Sequence, residues 1–188
     1  CHPNIICYKD VFSINDKVYI IMEYFDGVDL YDHIMKYASI YKVMNIEQIV
    51  NILRQVSVGL EYLNSINVIH RDLKLENIMI NKDGLVKIVD YGLSCFKDIY
   101  RSCSGTVGTP LYISPQIWNT ELMNNANNET LINIYQANDV WALGVIAYII
   151  SHNNVPFYGE DNETIADNAI NEIVRSDYPG IGNRKYSV

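Results

Sequence analysis

Several features are scarce in this 188-residue chain, and each scarcity removes a class of protein. No apolar run is long enough to cross a bilayer. The longest, from Val140 to Ile150, falls well short of the roughly 20 residues a spanning helix needs, and is expected to form a buried helix. The four cysteines, Cys1, Cys7, Cys95 and Cys103, form no C-x-x-C pair, and no two histidines stand at metal-ligand spacing, so no zinc motif is present. No signal peptide is recognisable, and the cysteines are therefore expected as reduced thiols in an intracellular, cytoplasmic compartment. Basic charge is also short: 14 Lys and Arg against 22 Asp and Glu give a net charge of −8 and a sequence pI near 4.9. That balance argues against nucleic acid or an anionic membrane surface as partner. It fits a basic partner, or simply a solvated acidic surface.

What is there is a chain long enough for one domain with a sizeable core, 49% hydrophobic by composition. Its organising stretch is His70-Arg71-Asp72-Leu73-Lys74-Leu75-Glu76-Asn77. Apolar residues precede it (Val68, Ile69) and follow it (Ile78, Met79, Ile80), which predicts two short buried strands joined by a rigid loop. Such a loop presents side chains in fixed geometry. The residue types suggest a carboxylate, Asp72, for a substrate hydroxyl, a cation, Lys74, for a phosphate, and an amide oxygen, Asn77, for a metal. The bland alternative is an ordinary polar turn between strands. The octet resembles the catalytic loop of protein kinases, H-R-D-L-x-x-x-N, and the Lys two positions after the Asp points to the serine/threonine kinases.

Other stretches extend the resemblance in the family's order. His2-Pro3-Asn4-Ile5 leads into Ile6 to Phe12, the turn signal Asn15-Asp16, and a β-rich run from Val18 to Tyr24, which together read as a hairpin. Phe25-Asp26-Gly27 breaks the strand, and a short helix with Leu30, Ile34 and Tyr37 on one face follows. Asn45, with Gln48 three positions on, opens a long helix as a capping box, and Ile46, Ile49, Val50, Leu53, Leu60 and Leu63 keep helical spacing. After the octet, Asn81-Lys82-Asp83-Gly84 is a hairpin turn signal, and the next strand delivers Asp90-Tyr91-Gly92, which resembles the kinase D-F-G motif with Tyr for Phe. A buried Tyr hydroxyl there needs a partner. Leu93 to Val107 is read as an activation segment, and Gly108 to Gln116 resembles the family's G-T-x-x-Y-x-A-P-E anchor, with Ser114 for Ala and Gln116 for Glu. Gln116 cannot make the ion pair of the family's Glu, and losing one partner of a buried pair costs ~3–5 kcal/mol unless the other is replaced too. Met123 to Thr130, rich in Asn, is expected as a flexible surface insertion. Asp139-Val140-Trp141-Ala142-Leu143-Gly144-Val145 resembles the family's D-V-W-S-L-G-V helix, and Ile165, Ala169, Ile170 and Ile173 mark one more helix.

The resemblance implies an α+β, protein-kinase-like fold: a mainly helical C-terminal lobe, preceded by the last two strands of the N-terminal lobe and the hinge. Residues 1–24 would end the small lobe, and 25–188 would be the hinge and a large lobe stopping before its last helices. The implied activity is transfer of the ATP γ-phosphoryl group to Ser or Thr hydroxyls of proteins, with Mg²⁺. Asp72 would be the base, Lys74 would neutralise charge on the transferring group, and Thr109 would bond the base. Asn77 and Asp90 would hold Mg²⁺. Met22 matches the gatekeeper, with backbone groups of Glu23 and Phe25 holding the adenine and Met79 as its floor. Asp29 matches an acidic position facing the ribose or a basic substrate side chain. Glu76 is another acid near the substrate, so basic residues beside the target are expected. His70 would pack under Tyr91, and Asp139 would brace the loop. Arg71 matches an Arg that grips a phosphate on the activation segment, with Ser104 or Thr106 as the site, or with the segment ordered without phosphate. The details around Leu143 to Gly159 and the L-K-L-E-N form of the loop look most like calcium/calmodulin-dependent and related kinases.

The chain holds no Gly-rich phosphate loop, no strand Lys for the α/β-phosphates and no helix Glu to pair with it. It opens at Cys1 in mid-pattern and is expected to be a fragment that alone binds ATP poorly. Two rival readings differ in class. A pseudokinase scaffold is given an opening by Tyr91 and Gln116, but Asp72, Lys74, Asn77 and Asp90 oppose it. A small-molecule phosphotransferase with an H-x-D-x-x-x-x-N loop is disfavoured by Lys74 and by the Gly108 to Gln116 anchor.

Overall fold

A computed structural model describes residues 1–41, 44–99, 103 and 107–171. The chain opens on an antiparallel hairpin, β1 (Tyr8–Ile14) and β2 (Lys17–Met22). Asn15 and Asp16 turn it, with φ of 50° and 60°. Positive φ at both central residues matches the right-handed strand twist, and Asn and Asp tolerate it. Every residue of both strands is exposed.

The remainder is helical around a small sheet. A short strand, β3 (Gly27–Asp29), runs directly into α1 (Leu30–Tyr41), and α2 (Ile46–Ser65) follows. The capping box predicted at Asn45 is present: its side chain accepts from Gln48 N while Gln48 Oε1 accepts from Asn45 N. The buried face of α2 is Ile49, Ile52, Gln55, Val56, Gly59 and Leu63. Ile46 and Val50 keep the helical spacing yet lie on the solvent side, 70% and 55% exposed. Ile49 and Leu63 are buried and Leu53 and Leu60 pack against the core as the spacing implies, and Ile52 and Val56 complete the inward face with Gln55.

Strands β4 (Val68–Ile69) and β5 (Ile78–Asn81) flank the octet as expected, but they enter different sheets. β5 lies between β3 and β6 (Val86–Ile88), while β4 pairs with β7 (Cys95–Phe96). Gly84, at φ 77°, makes the β5–β6 turn, and Asn81 Oδ1 accepts from the N–H groups of Asp83 and Leu85. A polar knot fixes the N-terminal segment below this sheet. Buried Asn4 donates to Gln55 Oε1 and Val86 O, and Gln55 donates to Gly84 O.

Then come the short helices α3 (Pro115–Trp118) and α4 (Thr120–Asn125), the long α5 (Asn128–His152) and α6 (Asn162–Ile170). Two expectations need correction. Residues 123–130 lie on the surface as expected but are mostly helical, forming the end of α4 and the start of α5. Asn119 caps α4 by accepting from Leu122 N, and Asn127 caps α5 by accepting from Thr130 N. Asparagine is among the best N-cap residues, so an Asn-rich stretch beside apolar residues starts helices as readily as it forms loops. Leu131, Ile132, Ile134 and Tyr135 then join a second core with Ile69, Ile113 and Ile117.

The cysteines are the second correction: they are paired, Cys1 with Cys7 and Cys95 with Cys103, each pair with Cα atoms 5.2 Å apart. Both pairs stand at spacings that a search for C-x-x-C passes over, and the Cα separation suits a disulfide. The thiols therefore no longer argue for a reducing compartment. No helix among the described residues is long and apolar enough to cross a membrane. Ile173, counted above in the last helix, lies outside the described residues, and Ile170 is exposed.

Candidate active site

The octet folds over the start of α5's apolar run. Asp139, 6% exposed, accepts the backbone N–H of His70 at 2.8 Å and of Arg71 at 2.9 Å. Burial pushes its carboxyl above the usual range, against the opposing pull of His70, the two N–H donors and Arg71. The brace lets the backbone turn back sharply at Arg71, which sits at φ 66°. His70 is wholly buried, its Nδ1 accepting from Asp72 N and its Nε2 facing Val89 O at 3.0 Å. Those bonds assign the Nε2–H tautomer and make His70 a prop.

Beyond that turn, Asp72 becomes the hub. Its Oδ1 accepts from Thr109 N at 3.0 Å and from Thr109 Oγ1 at 2.8 Å. Its Oδ2 meets Lys74 Nζ and Asn77 Nδ2, both at 3.2 Å. Thr109 Oγ1 spends its proton on Asp72 and accepts from Lys74 Nζ at 3.1 Å. Thr109 reaches the hub because Gly108, at φ 117°, brings the chain against the loop, where a Cβ would stand 2.9 Å from Arg71 O. Only glycine fits there. Behind Thr109, Ser114 N donates to buried Asn138 Oδ1 at 2.8 Å and ties the anchor to α5. Gln116 is exposed, so the lost ion pair discussed above leaves no buried orphan at this position.

Asn77 ends a short 3₁₀ turn, Leu75–Asn77, and also donates Nδ2 to Asp72 O at 2.8 Å. With its NH₂ turned to Asp72, its Oδ1 is left as an acceptor. The N–H of Val89 donates to Asn77 O at 2.9 Å, so β6 delivers the next residue, Asp90, beside it. Asp90 is exposed at φ 58°, with Oδ1 accepting from Gly92 N. One amide oxygen and one carboxylate suit Mg²⁺, which takes few protein ligands and leaves the rest to water and phosphate. No group of three or more His, Cys, Asp or Glu at metal-binding distance occurs among the described residues.

Tyr91 packs edge-on against His70, with centroids 5.1 Å apart, and its hydroxyl donates to Ile88 O at 3.3 Å. That is the partner its burial requires, and the same burial raises its pKa. Arg71 is buried, donates Nε to Leu93 O at 2.7 Å and lies over the Tyr135 ring at 5.5 Å. It thus holds the start of the segment after Asp90. Ser104 and Thr106 lie outside the described residues.

The residues expected around the nucleotide occupy the opposite side. Met22 ends β2 and is 46% exposed. Glu23 and Phe25 lie in the connection between β2 and β3, both half-buried. Asp29 pairs in register with Met79 and caps α1 through Oδ1, which accepts from Asp32 N at 2.8 Å. Glu76 is exposed on the 3₁₀ turn. One residue escaped the sequence reading: Lys87, 7% exposed in β6, with Nζ 2.6 Å from Glu23 Oε1. Its signal was a lone charge inside the run Val86 to Val89.

Residues 1–185 match the protein kinase domain family. The chain belongs to that family. It is 35% identical to NUAK family SNF1-like kinase 2 of Rattus norvegicus over 87% of this chain and 24% of that protein. It is 33% identical to RAC-beta serine/threonine-protein kinase A of Xenopus laevis over 93% of this chain and 33% of that protein. Serine/threonine-protein kinase Nek1 of Mus musculus is 34% identical over 78% of this chain and 11% of its own length. The chain thus spans at most a third of the length of these relatives. As a kinase domain it has the α+β arrangement that its motifs implied.

Proposed function

We propose that this domain belongs to a serine/threonine protein kinase, transferring the γ-phosphoryl group of ATP to Ser or Thr hydroxyls of protein substrates. The observation that carries the reading is the Asp72 hub, held by Thr109 through two bonds and by Lys74 and Asn77 through one each. Asp72 orients the substrate hydroxyl and accepts its proton as the oxygen attacks phosphorus. Lys74 is fixed between Asp72 and Thr109, so its charge meets the transferring group without reorganisation. Asn77 Oδ1 and the Asp90 carboxylate would hold Mg²⁺, which when bound neutralises phosphate charge. Asp72 is the shared neighbour through which hydroxyl and cation are kept in one frame.

On the nucleotide side, backbone groups of Glu23 and Phe25 hold the adenine, Met22 is the gatekeeper, Met79 the floor, and Asp29 meets the ribose or a basic substrate side chain. Exposed Glu76 supports a preference for basic residues near the target. The division into a small-lobe end at 1–24 and a hinge with large lobe at 25–188 is supported by the hairpin's apolar side chains, exposed on both faces as in the last strands of a larger sheet. Use of ATP favours an intracellular, cytoplasmic setting. The partners are protein substrates, not nucleic acid or membrane. Arg71 with Ser104 or Thr106 would form the regulatory contact.

The test is transfer of radiolabel from γ-labelled ATP to a basic Ser/Thr peptide by the full-length protein. Asp72→Asn is expected to lower turnover by about 10²–10⁴-fold, the range of general-base contributions. Equal labelling by wild type and variant refutes the catalytic assignment.

A further inference from the structure

We propose that Lys87 is a positioning residue for the nucleotide, tying the adenine-holding segment to the strand that leads to Asp90. This rests on the nucleotide reading of Glu23 and Phe25 given above. A lysine inside a fully buried strand is costly unless its charge is met. Here the charge is met entirely by the segment that precedes the helical body. Nζ lies 2.6 Å from Glu23 Oε1, 3.3 Å from Ile5 O and 5.9 Å from the centre of the Phe25 ring. The same Glu23 oxygen accepts Cys7 N at 2.8 Å, while Glu23 N donates to Cys7 O at 2.9 Å.

The segment needs such a hold. Residues 23–26 join β2 to β3 outside any strand ladder, with Gly27 N to Phe25 O, at 3.0 Å, the other backbone bond there. At its other end the tie meets the expected adenine floor. Lys87 stands opposite Met79, and Met79 opposite Asp29, in one row across β6, β5 and β3. Directly opposed residues project from one face of a sheet, so Lys87 rises beside Met79 and reaches the two residues whose backbone would hold the base. Beyond β6 the chain reaches Asp90, three positions on from Lys87. One side chain thus sets the distance between the adenine end and the metal end of the nucleotide.

Full-length protein carrying Lys87→Met, Lys87→Arg or Glu23→Gln is compared with wild type by steady-state kinetics, by binding of a ribose-labelled fluorescent ADP, and by thermal melting. Lys87→Met is expected to raise KM for ATP about tenfold while kcat and peptide KM stay within about twofold, the pattern of lost ground-state binding. Lys87→Arg keeps a cation for Glu23 and for the ring and is expected to recover most of the loss. If Lys87→Met fails to fold, Glu23→Gln preserves the packing and should still raise KM for ATP about threefold. A lower melting point with KM for ATP unchanged, or a rise in kcat, overturns the proposal. Adenosine separates the two readings. If it fails to displace the labelled ADP from wild type, the nucleotide reading of the hinge is wrong. If it competes and no variant shifts KM or ADP affinity, only the role of Lys87 is wrong.

Discussion

The loop from Val68 to Asn77 and the hairpin from Tyr8 to Met22 lie on the two sides of the proposed nucleotide and are held in opposite ways. In the loop, His70, Arg71, Leu73, Leu75 and Asn77 are buried, Asp72 and Lys74 meet Thr109, and the backbone of His70 and Arg71 meets Asp139. In the hairpin every residue is exposed. It meets the body through a few points: the Ile6 N to Ile88 O bond, the Cys7–Glu23–Lys87 cluster, and a ring contact between Tyr8 and Tyr91. The proposed phosphoryl-transfer side is preorganised by its own packing. The proposed adenine side depends on individual anchors.

The sharpest way to break this contrast is to remove the brace. Asp139→Ala leaves two buried N–H groups without an acceptor, and each unsatisfied buried group costs about 1–3 kcal/mol. The variant should be markedly less stable in denaturant and lose about a hundredfold in kcat, since small displacements of a positioned base are that expensive. Wild-type stability and turnover would show that the loop does not depend on α5. Lys74→Met acts within the hub instead. Its expected signature is a fall in kcat of about 10²-fold, typical of one lost charge-stabilising donor, with KM for ATP changed little. A rise in KM alone would move Lys74 from the transition state to ground-state binding.

The same contrast explains what the sequence made legible. The octet and the Gly108 anchor each combine a chemical group with the backbone feature that presents it, and Asp72, Lys74, Asn77 and Thr109 meet. Thr109 meets Asp72 across 37 positions. The Asn45 capping box was equally readable, because its logic is local. Non-local facts were not readable. Ile46 and Val50 fit the helical period but face solvent, since the helix phase is set by α5 and β6. Asn127, in a stretch that reads as a loop, caps α5. The cysteine pairs and the Glu23–Lys87 contact depend on turns and on strand register, which composition does not encode.

Acid should expose how slight the hairpin's hold is. The hydrogen bond from Lys87 holds the Glu23 carboxyl below the usual carboxylate range. A group whose value is lower in the folded state stabilises fully above its unfolded value, about 4.3, and loses that contribution as pH falls through the folded value. The melting-temperature difference between wild type and Glu23→Gln should therefore be constant from pH 7 to about 5 and shrink toward zero below about 4. A difference that persists unchanged in acid would mean the contact works through packing and not charge.

The smallest effect is expected where the two regions touch. Tyr91 stands between them, its ring edge-on to His70 in the loop and to Tyr8 at the start of the hairpin. Its hydroxyl is all that distinguishes it from the Phe of the family motif. That hydroxyl donates to Ile88 O, which already accepts Ile6 N at the shorter distance of 3.0 Å. Tyr91→Phe removes one donor and leaves the carbonyl bonded, so no buried group is orphaned and both ring contacts survive. The expected cost is at most about 1 kcal/mol in denaturant unfolding, with kcat and KM for ATP within about twofold of wild type. A tenfold fall in kcat would place the hydroxyl in the chemistry. A rise in KM for ATP alone would make Tyr91 a second anchor of the adenine side, and the hairpin would then be held more firmly than its exposure suggests.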